Sequence, residues 1–186
     1  MNKTLLVCLS LVSTFSLNAG KHLLNTSFED MDIVSEKAEH WGVWGPALVR
    51  VVDWEPTADG MAMIGYKHWE IPFGTSETSG IFQDTQGIET GETYEFSVYV
   101  NADNPDWGMH PEKIELRLET TLDSKQVHLA TREFEVRDLI GDGWTRLSIE
   151  SMASNEKLRA LIIFHPSIDD NKGGALKIDK AQISKK

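Results

Sequence analysis

Residues 93–101 alternate strictly between two kinds of side chain. Apolar or aromatic residues fill the even positions from 94 to 100, and mainly polar residues fill the odd positions. Residues 114–120 repeat the pattern. Successive side chains of a β-strand point to opposite faces, so a period of two predicts strands with one buried face. Any fold of this chain must bring these apolar faces together in a core.

Segments of similar character recur along the chain, and turn sequences such as 90–92 and 141–143 separate them. No window keeps a helical period. We therefore predict an all-β fold, a two-sheet antiparallel β-sandwich of jelly-roll type. The further strand candidates are residues 21–25, 47–54, 61–66, 80–86, 126–136, 144–151, 158–165 and 175–184.

The first 19 residues have the pattern of a secretory signal peptide. Lys3 supplies a positive charge, residues 5–17 are mainly apolar, and residues 18–20 are small or polar. The apolar stretch is too short to span a membrane, which takes about 20 residues. We expect an exported protein, periplasmic or extracellular, without membrane insertion. No linker or repeat divides residues 20–186, which we interpret as a single domain.

Composition narrows the choice of partners. The chain has a formal net charge of −11, which argues against nucleic acid as a partner.

Its single cysteine, Cys8, lies in the expected signal peptide, so no disulfide framework is available to the mature domain. Packing, with or without a metal ion, must stabilise the fold. We expect a monomer.

Four blocks carry a family resemblance: residues 25–29 (Asn-Thr-Ser-Phe-Glu), 79–83 (Ser-Gly-Ile-Phe-Gln), 90–100 and 177–183 (Lys-Ile-Asp-Lys-Ala-Gln-Ile). In that order they resemble family 4/9 carbohydrate-binding modules and their galactose-binding-like relatives. The resemblance implies a sandwich whose two ends meet. It also implies a non-catalytic module that binds a polysaccharide or oligosaccharide in a cleft of aromatic and polar residues.

The resemblance further implies a structural calcium ion held by Glu29 and Asp179. Calcium prefers several oxygen ligands and often mixes carboxylates with backbone carbonyls. The chain departs from the family after the closing aspartate, where Lys180 takes the place of a glycine or a second aspartate. The alternative is that both acids are ordinary residues at strand ends, hydrogen-bonded to backbone amides.

The tryptophans divide by their positions in the motifs. The resemblance implies structural roles for Trp41 and Trp144, and a sugar-stacking role for Trp69 in the long segment before residue 80. Trp107, in a second long loop, is another candidate for stacking on a sugar ring. For Trp69 and Trp107 the alternative is a loop aromatic that packs back on the core.

Polar candidates come from strand faces opposite the core. Alternation places Tyr99 and Arg117 on such faces. Arg159 matches an arginine of a family strand that carries a sugar-contacting histidine four residues later. Here Ile163 stands in that place, and His165 follows on the same face. Gln83 is either a ligand contact or a buried amide that bonds to backbone.

The sequence has no positive sign of catalysis. It lacks the Gly-x-Ser-x-Gly elbow, the His-Glu-x-x-His zinc motif and a phosphate-binding glycine loop. We therefore expect a binding module with no catalytic residues. One alternative is a structural or protein-interaction sandwich at the cell surface without glycan binding. A small glycan-cleaving enzyme would need two carboxylates in the same cleft.

Overall fold

The computed structural model of the protein describes residues 22–28, 30–32, 37–44, 48–53, 60–66, 78–103, 111–165 and 174–186. Regular structure in these ranges is β, apart from a 3-10 helix at Val136–Leu139. The strands are β1 (Met31–Asp32), β2 (Lys37–Ala38), β3 (Gly42–Trp44), β4 (Leu48–Asp53), β5 (Gly60–Tyr66), β6 (Ser79–Asp84), β7 (Thr93–Asn101), β8 (Lys113–Leu122), β9 (Lys125–Glu135), β10 (Trp144–Met152), β11 (Arg159–His165) and β12 (Gly174–Lys185).

Two five-stranded antiparallel sheets build the fold. Sheet I has the order β10-β7-β12-β5-β4, and sheet II has the order β3-β6-β11-β8-β9. The two short strands β1 and β2 pair separately. This architecture confirms the predicted all-β antiparallel sandwich. In the described part of the chain, no helix is long and apolar enough to cross a membrane.

The core lies between the two sheets and follows the alternation in the sequence. From sheet I it takes Phe96, Val98 and Val100, all 0 % exposed. From sheet II it takes residues of β8 and β11 such as Leu116 and Ile162. Burial of each such side chain contributes about 1.5–3 kcal/mol of hydrophobic free energy. The predicted faces of β7 and β8 are therefore confirmed.

The opposite face of β7 is less exposed than alternation alone suggests, because Glu95 and Ser97 are also buried. The Glu95 carboxylate contacts Lys186 and Arg146, which come from the chain end and from β10. The hydrogen bond from Lys186, helped by Arg146, holds the pKa of Glu95 below its usual value against the opposing effect of burial. Charge pairing therefore lets a carboxylate occupy a central strand of sheet I.

The opening segment, residues 22–28, is not the strand predicted for residues 21–25. It forms bends that link the two sheets. Gln83 of β6, 5 % exposed, donates from Nε2 to the Leu24 carbonyl (3.0 Å) and accepts from the Leu24 N–H (2.6 Å). The described geometry therefore favours the interpretation of Gln83 as a buried amide that bonds to backbone. The opening segment needs this side chain because, among the described residues, no neighbouring strand bonds to the N–H and carbonyl groups of Leu24.

The two ends of the described chain meet at a bulge in β12. Pairing of β12 with β7 shifts register between Asp179 and Gln182, and Lys180 has a φ of 51°. The bulge turns the Ala181 N–H out of the ladder, where it donates to the Thr26 carbonyl (2.8 Å). The opening and closing motifs are therefore in direct backbone contact, as expected.

The opening motif also contributes to the core. Phe28 is buried with a φ of 57°, and its ring packs on that of Trp41 with centroids 5.2 Å apart. The Trp41 Nε1–H donates to the Asn25 carbonyl (3.2 Å). These contacts agree with the structural role expected of Trp41. Trp144 differs, because it lies on the outer face of the edge strand β10 and is 40 % exposed.

Candidate functional site

The face of sheet II that points away from the core carries a groove with a volume of about 410 Å³. Residues two apart on β11 line it, because alternation sends their neighbours Ala160, Ile162 and Phe164 into the core. We call it the sheet II groove. Its described lining residues are Trp44, Thr78, Phe82, Arg117, Glu119, Gln126, Arg159, Leu161, Ile163 and His165.

Two aromatic rings at one side of the groove form its apolar surface. Trp44 on β3 and Phe82 on β6 have ring centroids 6.4 Å apart at an interplanar angle of 50°. The pairing places Gly42 opposite Phe82 and Trp44 opposite Gly80. Each ring therefore lies over the glycine of the facing strand, where no side chain keeps it away from the backbone.

Arg159 covers the Phe82 ring from above. Its Cζ lies 4.5 Å from the ring centroid, a cation–π distance. The guanidinium also donates from Nε to Asp84 Oδ1 (2.6 Å) and from Nη2 to Asp84 Oδ2 (2.9 Å). A bidentate pair fixes the orientation of the guanidinium plane. Arg159 thus presents a positioned face and its remaining N–H groups beside the aromatic surface.

A buried carboxylate organises the polar side of the groove. Glu115 on β8 is 2 % exposed and bonds to a different partner through each oxygen. Oε1 accepts from Arg117 Nε (2.6 Å), and Oε2 lies 2.8 Å from His165 Nε2. Glu115 therefore holds together an arginine from β8 and a histidine from β11, both of which line the groove.

This arrangement decides the charge state of Glu115. Burial alone raises the pKa of a carboxyl group, because it penalises the charged form. The hydrogen bonds from His165 and Arg117, with the charge of the guanidinium, outweigh burial and hold the pKa of Glu115 below its usual value. Glu115 is thus a carboxylate at neutral pH and an acceptor for both partners.

Glu119 extends the same network towards the edge strand β9. Its Oε1 lies 3.3 Å from Arg117 Nη1 and 3.1 Å from His128 Nε2. Arg117 is therefore shared between two carboxylates, and Arg159 is held by a third. Among the described groove residues, no lysine or arginine is left without a carboxylate partner. These residues therefore give the groove no excess of positive charge.

The structure brings together three of the residues proposed from the sequence, Arg117, Arg159 and His165. The expectation that Tyr99 shares their cleft is not met, because Tyr99 lies on β7 in sheet I and lines a different cavity. Alternation identified its outward face, but it could not tell which sheet that face belongs to. Trp69 and Trp107 lie outside the described residues.

Sequence reasoning missed Trp44, Phe82 and Glu119, which line the groove, and Glu115, which bonds to Arg117 and His165 from beneath it. The available signal for the first two was the repeated order glycine, apolar residue, aromatic residue at 42–44 and 80–82. The signal for Glu115 and Glu119 was their position in the alternating segment 114–120, where they share a face with Arg117.

Asp179, one of the two expected calcium ligands, lies at the β12 bulge. Its carboxylate is largely buried, and Oδ1 accepts from the Lys180 N–H (2.6 Å). The Lys180 ammonium is 4.0 Å from Oδ2 on a side chain that is 61 % exposed. A buried hard oxygen next to the Thr26–Ala181 contact fits a calcium ligand. Glu29 lies outside the described residues.

A different group of potential ligands lies at the end of the groove. Donor atoms of Glu115, Glu133 and His165 lie within 4.8 Å of one another. Glu115 and His165 are bonded to each other, and Glu133 is 2.9 Å from Lys113 Nζ. Ion pairing within the protein accounts for this cluster.

Comparisons with solved structures find the same fold in several carbohydrate-binding modules. TmCBM61, solved in complex with β-1,4-galactotriose, is 14 % identical with a TM-score of 0.59, and the match covers 90 % of this chain and all of that chain (100 %). The xylan-binding CBM22-1 domain of Xyn10C from Paenibacillus barcinonensis is 16 % identical with a TM-score of 0.54, over 86 % of this chain and 91 % of that one.

A third structure, described as "CBM4 structure and function", is 18 % identical with a TM-score of 0.54 and covers 88 % of this chain and 99 % of that chain. At such identities these likenesses establish the fold. A comparison with curated proteins returned no match.

The family assignment comes from a model described as a carbohydrate-binding domain (CBM_4_9), which matches residues 20–171. The match covers more than half of the chain and includes both β3 and β11 of the groove. The chain therefore belongs to the family 4/9 carbohydrate-binding domains, and it is a non-catalytic binding module rather than an enzyme.

Proposed function

We propose that the protein binds a polysaccharide or oligosaccharide chain in the sheet II groove. The observation that carries the proposal is the pair of rings, Trp44 and Phe82, next to the fixed guanidinium of Arg159. Sugars present flat C–H patches and a rim of hydroxyl groups, so they bind where an aromatic surface lies beside hydrogen-bonding groups. The groove combines the two on one sheet face.

Its charges favour a neutral glycan. Arg117 is neutralised by Glu115 and Glu119, and Arg159 is neutralised by Asp84. A uronate chain would gain no unpaired arginine or lysine from these residues, and it would approach the carboxylate of Glu119. Hydroxyl groups, in contrast, can both donate to the carboxylates and accept from the guanidinium groups.

The expected location and cofactor of the module are part of the proposal. Residues 1–19 direct export to the periplasm or the cell exterior, and the mature domain acts as a monomer. Asp179 and Glu29 hold a structural calcium ion, which links the closing strand to the opening motif. N-terminal sequencing of the exported protein and its mass in solution test the first two points.

Isothermal titration of the mature protein with soluble β-glucan, xylan, mannan and alginate tests the function. We expect saturable binding of a neutral glycan with Kd in the micromolar to millimolar range, about −8 to −4 kcal/mol. Trp44→Ala should weaken binding in the groove at least tenfold, and Trp44→Phe should retain most of it. Ile140→Ala changes an exposed apolar residue elsewhere and serves as the control.

Two results would contradict the proposal. One is the absence of heat with every glycan from a correctly folded protein. The other is a groove affinity that the substitutions Trp44→Ala and Arg159→Ala leave unchanged. Preferential binding of alginate would contradict the neutral specificity while leaving the location of the site intact.

A further inference from the structure

The outer face of sheet I carries a second aromatic surface, on the opposite sheet from the groove. Tyr99 on β7 lies opposite Arg146 on β10 and opposite Asp179 on β12. Trp144 precedes Arg146 by two residues and so projects from the same face. Its exposure confirms this direction, whereas Leu147 points into the core. Diagonal neighbours on paired strands lie about 7–8 Å apart, within reach of aromatic side chains.

A cavity of about 510 Å³ adjoins Tyr99. It lies between the opening segment 22–26 and the second half of β12, which still pairs with β7 after the bulge, whereas its pairing with β5 in the described residues ends at Ile178. Buried apolar residues such as Leu23 and Ile183 contribute to its lining. The cavity is thus a product of the contact between the two ends of the chain.

Polar groups around the cavity are available for a ligand. The side chains of Thr26, Gln182 and Ser184 and the hydroxyl of Tyr99 line it, and none of them bonds to another protein group in the described ranges. Gln83 shows the contrasting case, an amide whose donor and acceptor are both occupied by backbone. Unpaired donors and acceptors beside an aromatic ring form the same combination that favours a sugar in the groove.

The charges at this face again favour a neutral ligand. Arg146 and Lys186 both contact Glu95, and Lys185 lies 3.0 Å from Glu89. Lys180 is 4.0 Å from the Asp179 carboxylate. An anionic ligand would compete with these existing pairs, whereas hydroxyl groups would not.

We propose that the outer face of sheet I is a second saccharide-binding site. Tyr99 and Trp144 stack against sugar rings, while Gln182 and Ser184 bind hydroxyl groups at the cavity. The outer faces of two packed sheets point in opposite directions, so one module holds two separate glycan chains, or two segments of a long chain. Two sites of modest affinity then give a larger avidity for an insoluble polysaccharide.

Four proteins test the proposal with cellohexaose and xylohexaose as probes in isothermal titration. They are the unaltered mature protein, a groove variant (Trp44→Ala with Arg159→Ala), an outer-face variant (Tyr99→Ala with Trp144→Ala) and the combination of all four substitutions. We expect two sites in the unaltered protein, one in each double variant and none in the combination. Each lost site corresponds to at least a tenfold rise in Kd. Ile140→Ala is the control.

The outcomes separate this proposal from the function of the groove. Binding that is lost in the outer-face variant and retained in the groove variant supports the second site even if the groove proves inactive. An outer-face variant with unaltered stoichiometry and affinity overturns it, as does a groove variant that binds neither probe.

A milder variant keeps the test valid if Tyr99→Ala disturbs the fold. Gln182 is exposed, so Gln182→Ala leaves the core unchanged. It should weaken the outer-face site several-fold in the groove-variant background.

Acrylamide quenching gives a second readout, because bound xylohexaose should shield the exposed ring of Trp144. In the groove-variant background, where Trp44 is replaced, Trp144→Phe should abolish that protection. Protection that persists in this combined variant, or that is absent from the groove variant itself, contradicts the proposal.

Discussion

Gly42 faces Phe82 across the β3–β6 ladder, and the ring of Phe82 occupies the space that a Cβ at position 42 would need. The relationship is repeated two positions along the ladder, where Trp44 faces Gly80 and a Cβ at Gly80 would lie 2.7 Å from Cη2 of Trp44. The two glycines therefore decide how closely the two rings approach the backbone. The aromatic surface of the groove depends on residues that contribute no side chain to it.

The first prediction concerns Gly42→Ala. The added methyl group collides with the Phe82 ring, so the substitution should lower the free energy of unfolding by about 1–3 kcal/mol, as overpacking commonly does. In a Phe82→Ala background the collision is absent, and the loss should shrink to near zero. Urea unfolding of the four proteins of this cycle measures the coupling. An equal loss in both backgrounds would show that the ring is not what excludes a side chain at position 42.

The second prediction concerns the amide of Gln83, which bonds to both backbone groups of Leu24. Gln83→Leu keeps the size of the side chain but leaves the Leu24 N–H and carbonyl without partners. The free energy of unfolding should fall by about 1–3 kcal/mol for each buried group left unsatisfied. Hydrogen exchange at Leu24 should accelerate, because the opening segment loses its attachment to β6.

Gln86→Ala is the matched control, because the side chain of Gln86 is exposed and makes no hydrogen bond with the described residues. It should change stability by less than about 0.5 kcal/mol. A Gln83→Leu protein as stable as this control would mean that the segment is held by its other contacts.

The faces of long strands could be predicted from the sequence, because each has enough residues to show a period of two. This is why Arg117, Arg159 and His165 were correctly placed opposite the core. Trp44 was missed because β3 has three residues, too few for a period. Tyr99 was misplaced because alternation fixes a face and not the sheet to which the strand belongs. Residues 22–25 do not form the predicted strand, because the Leu24 backbone bonds to the Gln83 side chain and the Asn25 carbonyl accepts from the Phe28 N–H and the Trp41 Nε1–H, which no local pattern reports.

The third prediction concerns pH. The pKa of Glu115 is lower in the folded protein than in the unfolded chain, so its network stabilises the fold above the unfolded value of about 4.3 and is lost as pH falls through the folded value. The free energy of unfolding should therefore decline from about pH 5 to pH 3. Glu115→Gln should be less stable at pH 7, and its stability should fall less steeply over the same range.

Glu156 provides the comparison, because it is exposed and has no ion pair with the described residues. Glu156→Gln should follow the unaltered protein at every pH. Parallel stability curves for Glu115→Gln and the unaltered protein would show that Glu115 does not couple protonation to folding.

The last prediction concerns calcium at the β12 bulge. An ion that binds only the folded state stabilises it by about 2.7 kcal/mol at a free concentration of 100 Kd. Calcium should therefore raise the melting temperature of the mature protein, and EDTA should reverse the effect. Asp179→Asn and Glu29→Gln should each abolish most of the shift, because a carboxylate ligand becomes a neutral amide. A full calcium shift in Asp179→Asn would place the ion elsewhere.

Lys180 makes this test more specific. Its ammonium lies 4.0 Å from the Asp179 carboxylate, so it would repel a calcium ion bound to that carboxylate. Because the side chain is largely exposed, solvent screens the repulsion and the effect should be modest. Lys180→Ala should tighten calcium binding by about two- to tenfold, whereas Lys157→Ala, on a loop that contacts β8, should leave the calcium affinity unchanged. An unchanged affinity in Lys180→Ala would mean that the ammonium turns away from the ion. A weaker affinity would mean that Lys180 positions the bulge, so that the family's usual residue is not needed after Asp179.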